Sequence, residues 1–485
     1  MLRKSTVKLA GFLILVSLVA WVLSCAVNPV TGKKELMLMS ESQEIQLGAQ
    51  SDTQVIQTYG LYPDAKLSTY ISQIGQKLAK LSQRSNLTFH FRLLDSPVVN
   101  AFAIPGGYVY ITRGILAYLN NEAELAGVMG HEIGHVAARH SAKQYSKAQL
   151  AQLGLGLAYV FSENFRKYAG LANFGTQMLF LKFSRDYERQ ADALGVQYAS
   201  KAGYDARQMA VFFQTLDRLT PSGQGALPYF LATHPNPKER IQNVRRLAQE
   251  WQRKLGKKQW KINRDAYLRR LDGLVFGEDP REGFVESGVF YHPGMRFYFP
   301  VPARWHLINT NSQVQMVSPK KDAVLIFTLA KGQTPQQAAE KFILDSKAQV
   351  LASDAMRVQT YPAHRVIGVL TTQNGQIEFF SLFLKKDNHL FVFHGYTSKD
   401  LFPTYKNMFR TTELGFNRMT NPRRIQIQPD RIHIRKVAKT APLAAVLRSF
   451  GVTGKLAETL ALVNGMQLTD SVQSGTLIKI VQKGH

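Results

Sequence analysis

The sequence predicts an α+β protein in three folded parts: a mainly helical domain with a short sheet over residues 26–255, a small α+β domain over 286–416 and a βααβ unit over 430–485. Three observations carry this. Apolar residues recur at helical spacing from Ser40 to Leu255, broken by one strand-like patch. From Phe290 to Phe416 the apolar period switches to two. The final stretch repeats strand, helix, helix, strand on a smaller scale. At 485 residues the chain is too long for one core, and 45% hydrophobic against 19% charged residues argues against disorder.

The chain opens on a targeting segment, residues 1–25. Arg3, Lys4 and Lys8 precede an apolar run from Leu9 to Leu23, interrupted by Ser17. The run ends in Ser24-Cys25, the pattern of a bacterial lipoprotein signal in which Cys25 is lipidated and becomes the new N-terminus. An uncleaved anchor helix is the other reading, because ~18 apolar residues nearly span a bilayer. Both readings export the rest of the chain. Cys25 is the one cysteine, so no internal disulfide forms and the domains rest on their own cores. Ala26 behind it, rather than an acidic residue, favours the outer membrane, with the protein facing the periplasm. The net charge of +26 calls for an anionic neighbour. Export argues against nucleic acid and leaves anionic lipid, lipopolysaccharide or a cell-wall polymer such as peptidoglycan.

Within 26–255, Leu87–Leu94 alternates like a strand, and Tyr108–Ile111 makes another after the Pro105-Gly106-Gly107 turn. Helices dominate from Glu122. The apolar stretches Leu150–Phe161 and Ala169–Phe183 are too short to span a bilayer and are expected beside the active site. The basic run Arg253–Lys258 breaks the pattern, so residues 256–285 read as a linker. In the next domain Ala323–Leu329, Ile377–Leu384 and His389–Phe393 are strand-like. A helix there opens at Thr334, with Pro335 at its first position and Gln337 three residues on. No metal constellation or nucleophile pattern stands out in it, which suits binding or support. The last unit runs strand Arg431–Val437, helix Ala441–Phe450, helix Leu456–Val463, strand Thr476–Val481. It resembles a degenerate LysM module, a fold often used to bind peptidoglycan.

The chemistry centres on Gly130-His131-Glu132-Ile133-Gly134-His135. His131 and His135 are four apart on a helix, about 40° around its axis, so both imidazoles face one ion. Neutral imidazole suits zinc, which for catalysis takes a third protein ligand and keeps one position open. Glu132 lies ~100° round from His131, beside the metal, where it can take a proton from water and pass it to a leaving amine. His140, about half a turn from His131 if the helix continued, reads as no ligand. Downstream, Glu188 and Asp192 are again four apart. One carboxylate can bind the metal while the other accepts the second N–H of a ligating histidine.

Four motifs occur in order: Asn100-Ala101-Phe102-Ala103-Ile104-Pro105-Gly106-Gly107, the His131–His135 motif, Ser184-Arg185-Asp186 with Glu188 and Asp192, and Thr233-His234-Pro235 with Arg240-Ile241. Together they resemble the CAAX-prenyl-protease-like zinc metallopeptidases over about residues 40–250. The resemblance implies a gluzincin-type fold holding one zinc ion per chain on His131, His135 and Glu188, with Asp192 behind a ligand. It implies that His234 and Arg240 approach the active site across the cleft. His234 would stabilise an oxyanion or occupy zinc's fourth position at rest, and Arg240 would pair with a carboxylate near the metal or with substrate backbone. Asn100, Ala101, Phe102 and Ala103 would border the cleft as an edge strand for an extended substrate. The transmembrane helices of the prenyl proteases are missing, as are the ~34-residue repeats of some relatives, so substrate choice does not transfer. The expected function is a zinc endopeptidase acting on envelope polypeptides, including misfolded or misassembled ones. The alternative is an assembly factor or chaperone with a latent metal site.

Overall fold

A computed structural model describes residues 25–152, 183–219, 229–234, 237–372 and 375–484. The targeting segment lies outside them apart from Cys25, as does Pro235. So do the apolar stretches Leu150–Phe161 and Ala169–Phe183 except at their outer ends. Among the described residues no helix is long and apolar enough to cross a membrane. The chain folds as two compact units. The first combines the chain up to Ile56 with Gly60–Gly277 and Arg431–Gln482, and the second holds Gln57–Tyr59, Glu278–Asp430 and Lys483–His485.

In the first unit a three-stranded sheet comprises β1 (His90–Leu94), β2 (Ala101–Ile104) and β3 (Tyr108–Thr112). β1 runs parallel to β3 and β2 antiparallel to it, so among the described residues β2 is an edge strand of this sheet. Gly106 and Gly107, at φ 80° and 91°, turn the chain between β2 and β3, a conformation that costs other residues a Cβ clash. Helix α1 (Glu122–Ala137) starts at Asn121, whose side chain accepts from the Glu124 amide. Every residue from Ala123 to Ala137 is buried, which makes α1 the central helix. Around it lie α2 (His140–Gln152), α3 (Arg185–Lys201) and α4 (Pro237–Leu255).

The approach of α3 to α1 depends on glycine. A Cβ on Gly130 would stand 3.0 Å from the Gly195 carbonyl oxygen, and one on Gly195 would stand 2.8 Å from the His131 amide nitrogen. Larger residues would push the helices apart and withdraw the carboxylates of α3 from the histidines of α1.

Two expectations about domain limits differ from this architecture. Residues 256–285 are folded rather than extended: they carry helix Arg264–Arg270, and Tyr267, Leu268, Leu271, Leu274 and Val275 are buried. The basic run before them marks a solvated helix end and not a boundary. The C-terminal unit does form the βααβ pattern, with Arg431–Lys436 antiparallel to Leu477–Gln482 and helices Leu443–Ser449 and Gly454–Val463. It is not a free-standing module, because Ile432, Leu447, Leu460 and Ile478 join the same core as Leu125, Val128 and Met129 of α1. Lys479 is fully buried and donates to the carbonyls of Ala117 (2.7 Å) and Leu119 (2.8 Å), just ahead of α1.

The second unit is built on a seven-stranded antiparallel sheet. Helix Pro335–Ser346, capped by Thr334 onto the Gln337 amide, covers one face through Ala338, Ala339 and Phe342 against Phe379 and Phe383. Helix Phe402–Leu414 and a four-stranded sheet cover the other, around Phe327, Leu382 and Phe393. Strand alternation places Phe379 and Phe380 in separate cores.

Candidate active site

α1 carries His131, Glu132 and His135; α3 carries Glu188 and Asp192 one turn apart; the first turn of α4 supplies Arg240. His234 follows the short helix Tyr229–Thr233, its amide bonded to the Phe230 carbonyl at 2.8 Å and its ring 4.6 Å from the Phe230 ring. All of these functional side chains are buried. One ligand atom each from His131, His135, Glu188 and His234 lies within 4.8 Å of the other three.

The tautomers can be derived from the outer contacts. His131 Nδ1 donates to Asp192 Oδ1 at 2.9 Å, which leaves Nε2 as a lone pair. His140 Nε2 donates to Gln190 Oε1 at 2.9 Å, and burial pulls the His140 pKa down to about 4, keeping the ring neutral. Its Nδ1 must then accept, so His135 Nδ1, 3.0 Å away, is the donor. His135 Nε2 is therefore also a lone pair. The two Nε2 atoms face each other at 3.0 Å, with Glu188 oxygens 3.5 and 3.6 Å off.

Electron pairs converging in a dry interior repel unless a cation lies among them. Glu188 Oε2 reinforces the point: Arg240 Nη1 is 3.2 Å from it, yet it lacks a properly directed hydrogen bond. Imidazole and carboxylate donors of this kind suit a divalent transition metal. The residues present fit such an ion.

The charges are tuned around this cluster. Burial acts to raise the Glu188 carboxyl, but His234 and Arg240 hold it well below the usual carboxylate range. Asp192 is likewise held down against burial by Arg240, which reaches it through Nε at 2.8 Å and Nη2 at 2.7 Å. Burial pushes Glu132 up, with His234 and His131 opposing, and its Oε1 is buried without a hydrogen-bond partner. His234 sits between the two acids, Nδ1 2.9 Å from Glu188 and Nε2 3.7 Å from Glu132; against burial, their charges raise its pKa.

The sequence-predicted residues thus meet at one point, except those of the edge strand. Asn100, Ala101 and Phe102 are buried, Ala103 is half-buried, and Phe102 stacks on Tyr110 of β3. Asn100 Oδ1 is buried without a partner. Arg240 takes the carboxylate option, on Asp192. His140, read from the sequence only as no ligand, instead stands behind one: it reaches His135 because Arg139, at φ 54°, ends α1 and turns His140 back under it, and Gln190, absent from the sequence reading, holds His140 from the other side. Arg139 is held in that left-handed conformation by Glu44 at 2.8 Å and the Met39 carbonyl at 2.9 Å.

A buried helix bearing His-Glu-x-x-His, with a carboxylate from a second helix completing the donor set, defines a metallopeptidase centre. Residues 65–248 match the model of Peptidase family M48, and the four clustered side chains lie inside that span. The chain is 32% identical over 232 residues to the beta-barrel assembly-enhancing protease of Escherichia coli, covering 46% of this chain and 47% of the relative. It is 30% identical over 234 residues to the mitochondrial metalloendopeptidase OMA1 of Schizosaccharomyces pombe, covering 46% and 65%. The bovine mitochondrial OMA1 is 27% identical over 241 residues, 46% and 45%. The chain spans about half the length of the bacterial relatives it matches.

Proposed function

We propose that the chain is a zinc-dependent endopeptidase of a bacterial cell envelope, lipid-anchored through Cys25 and facing the periplasm. Its substrates are polypeptides, including misfolded or misassembled envelope proteins. The observation that carries the reading is the convergence of the His131 and His135 lone pairs on Glu188, with tautomers set by Asp192 and His140. Held by His131, His135 and Glu188, zinc supplies Lewis acidity towards a carbonyl and lowers the pKa of water.

The chain's own residues do the rest. Glu132, raised by burial, takes the proton of the attacking water and returns it to the leaving amine, work that suits a carboxyl shifted towards neutrality. An extended substrate backbone would pair along β2, which lies at the edge of the sheet among the described residues, so recognition would follow chain conformation more than side chains. Arg240 fixes Asp192, and through it the orientation of His131.

A second reading, an assembly factor with a latent metal site, draws on His234, whose Nδ1 stands among the metal donors. The deciding experiment incubates the zinc-loaded chain with casein beside Glu132→Gln and a chelated control. Cleavage lost in both controls supports the endopeptidase. No cleavage by the zinc-bound wild type moves the weight to the latent site.

A further inference from the structure

Five lysines of the first unit gather around Gly203, Tyr204 and Trp251. Lys77 Nζ lies 5.0 Å over the Tyr204 ring. Tyr204 bridges to Lys261, whose amide donates to the Gly203 carbonyl at 2.9 Å. Lys257 closes the other side: a Cβ on Gly203 would stand 3.5 Å from its Nζ. At the adjoining end of α4, Lys201 and Lys254 flank Trp251 at 5.6 and 4.7 Å, and Lys257 is 5.7 Å from Trp260.

All five lysines are exposed and none is ion-paired among the described residues. The neighbouring acids are already engaged. Glu122 accepts from Tyr70, Tyr204 and Asn263, and buried Asp205 accepts from Arg207. Five like charges this close repel one another; burial, then Lys261 and Lys257, push the Lys77 pKa down. Such a cluster persists where something anionic covers it. Its aromatic content narrows the choice. Trp251 and Trp260 are half-buried and Ile262 is 36% exposed. Indoles and an aliphatic side chain interleaved with lysine match the headgroup layer of a membrane, where rings sit at the interface and ammonium groups meet phosphates.

We propose that this face docks on an anionic phospholipid surface, with Lys77, Lys201, Lys254, Lys257 and Lys261 on headgroup phosphates and Trp251, Trp260 and Ile262 among the headgroups. The docking is independent of the metal site and adds an electrostatic contact to the anchor expected at Cys25.

The test uses the full chain with vesicles of phosphatidylcholine alone or mixed with phosphatidylglycerol. An amine-reactive reagent and mass spectrometry report each lysine. The expected result is protection of the five lysines by the anionic vesicles, lost in about 0.5 M salt, with Lys406 of the second unit unchanged. The Lys77→Glu, Lys257→Glu, Lys261→Glu triple variant should bind these vesicles roughly a hundredfold more weakly, at about 1 kcal/mol per lysine. It should still cleave, or fail to cleave, a soluble polypeptide just as the wild type does, which separates this proposal from the peptidase reading. Equal protection by neutral vesicles would overturn it. So would protection by a dissolved acidic polymer but not by vesicles, or undiminished binding of a correctly folded triple variant.

Discussion

His140 Nδ1 lies 3.0 Å from His135 Nδ1, and His140 Nε2 is spent on Gln190, so the proton on that line belongs to His135. The contact leaves the metal-facing nitrogen of His135 deprotonated and its ring fixed. Replacing His140 by alanine frees both ring orientation and tautomer. Metal affinity should fall by about 10- to 100-fold, the usual effect of losing a residue behind a ligand. Competition against a chelator measures it. Unchanged affinity would mean that packing alone orients His135.

His234 makes a sharper test, because its two possible roles predict opposite signs. Its Nδ1 is 3.3 Å from His131 Nε2 and 2.9 Å from Glu188, inside the donor cluster. A side chain occupying a metal position blocks substrate. His234→Ala should therefore raise the rate of casein cleavage while weakening metal binding. A fall in kcat at unchanged metal affinity would instead assign His234 to the oxyanion, where one lost donor costs about 10²–10³-fold.

The difference between these histidines also shows what sequence can and cannot tell. His131, His135, Glu188 and Asp192 were legible because each pair sits four apart on an unbroken helix, where spacing fixes direction. The edge strand was expected only from the family resemblance, which Pro105-Gly106-Gly107 behind it fits. The place of His140 was not legible. Counting 100° per residue past His135 assumes a helix, and Arg139 leaves it at φ 54°. A non-glycine residue in that conformation has no signature in the sequence; it depends on Glu44, 95 positions away. The C-terminal unit shows the same limit. Its four elements followed from local pattern, but the core they share with α1 is a long-range fact. Lys479 between buried Ile478 and Ile480 was the one local anomaly.

That lysine gives the C-terminal unit a measurable task. Its Nζ donates to the carbonyls of Ala117 and Leu119, near Glu124; burial lowers the Lys479 pKa to about 7 and raises that of Glu124 to about 7. Lys479→Met keeps the stem and removes the donor, leaving buried acceptors unpaired. The first unit should lose about 2–4 kcal/mol, read as an earlier urea transition of the full chain. A transition that stays in place would mean that the C-terminal unit is energetically separate from the helix of the metal site.

Glu413 carries a prediction for the second unit. It lies near the end of helix Phe402–Leu414, fully buried, with neither carboxyl oxygen hydrogen-bonded. Burial raises its pKa well above 4.5, and Arg365 opposes only in part. The C-terminal end of a helix dipole likewise disfavours a negative charge there. The folded state thus keeps a proton that the unfolded chain releases. Its contribution to stability is fully present below the unfolded pKa, near 4.5, and is lost as pH rises towards the folded value. Glutamine has the same shape and no charge at any pH. Glu413→Gln should match the wild type below about pH 4 and become progressively more stable than it as pH rises above that. Denaturant unfolding of the full chain, followed at several pH values through the transition of the second unit, reads that difference. An offset constant with pH would show that Glu413 titrates alike in both states, and hence that water reaches its carboxyl in the folded protein.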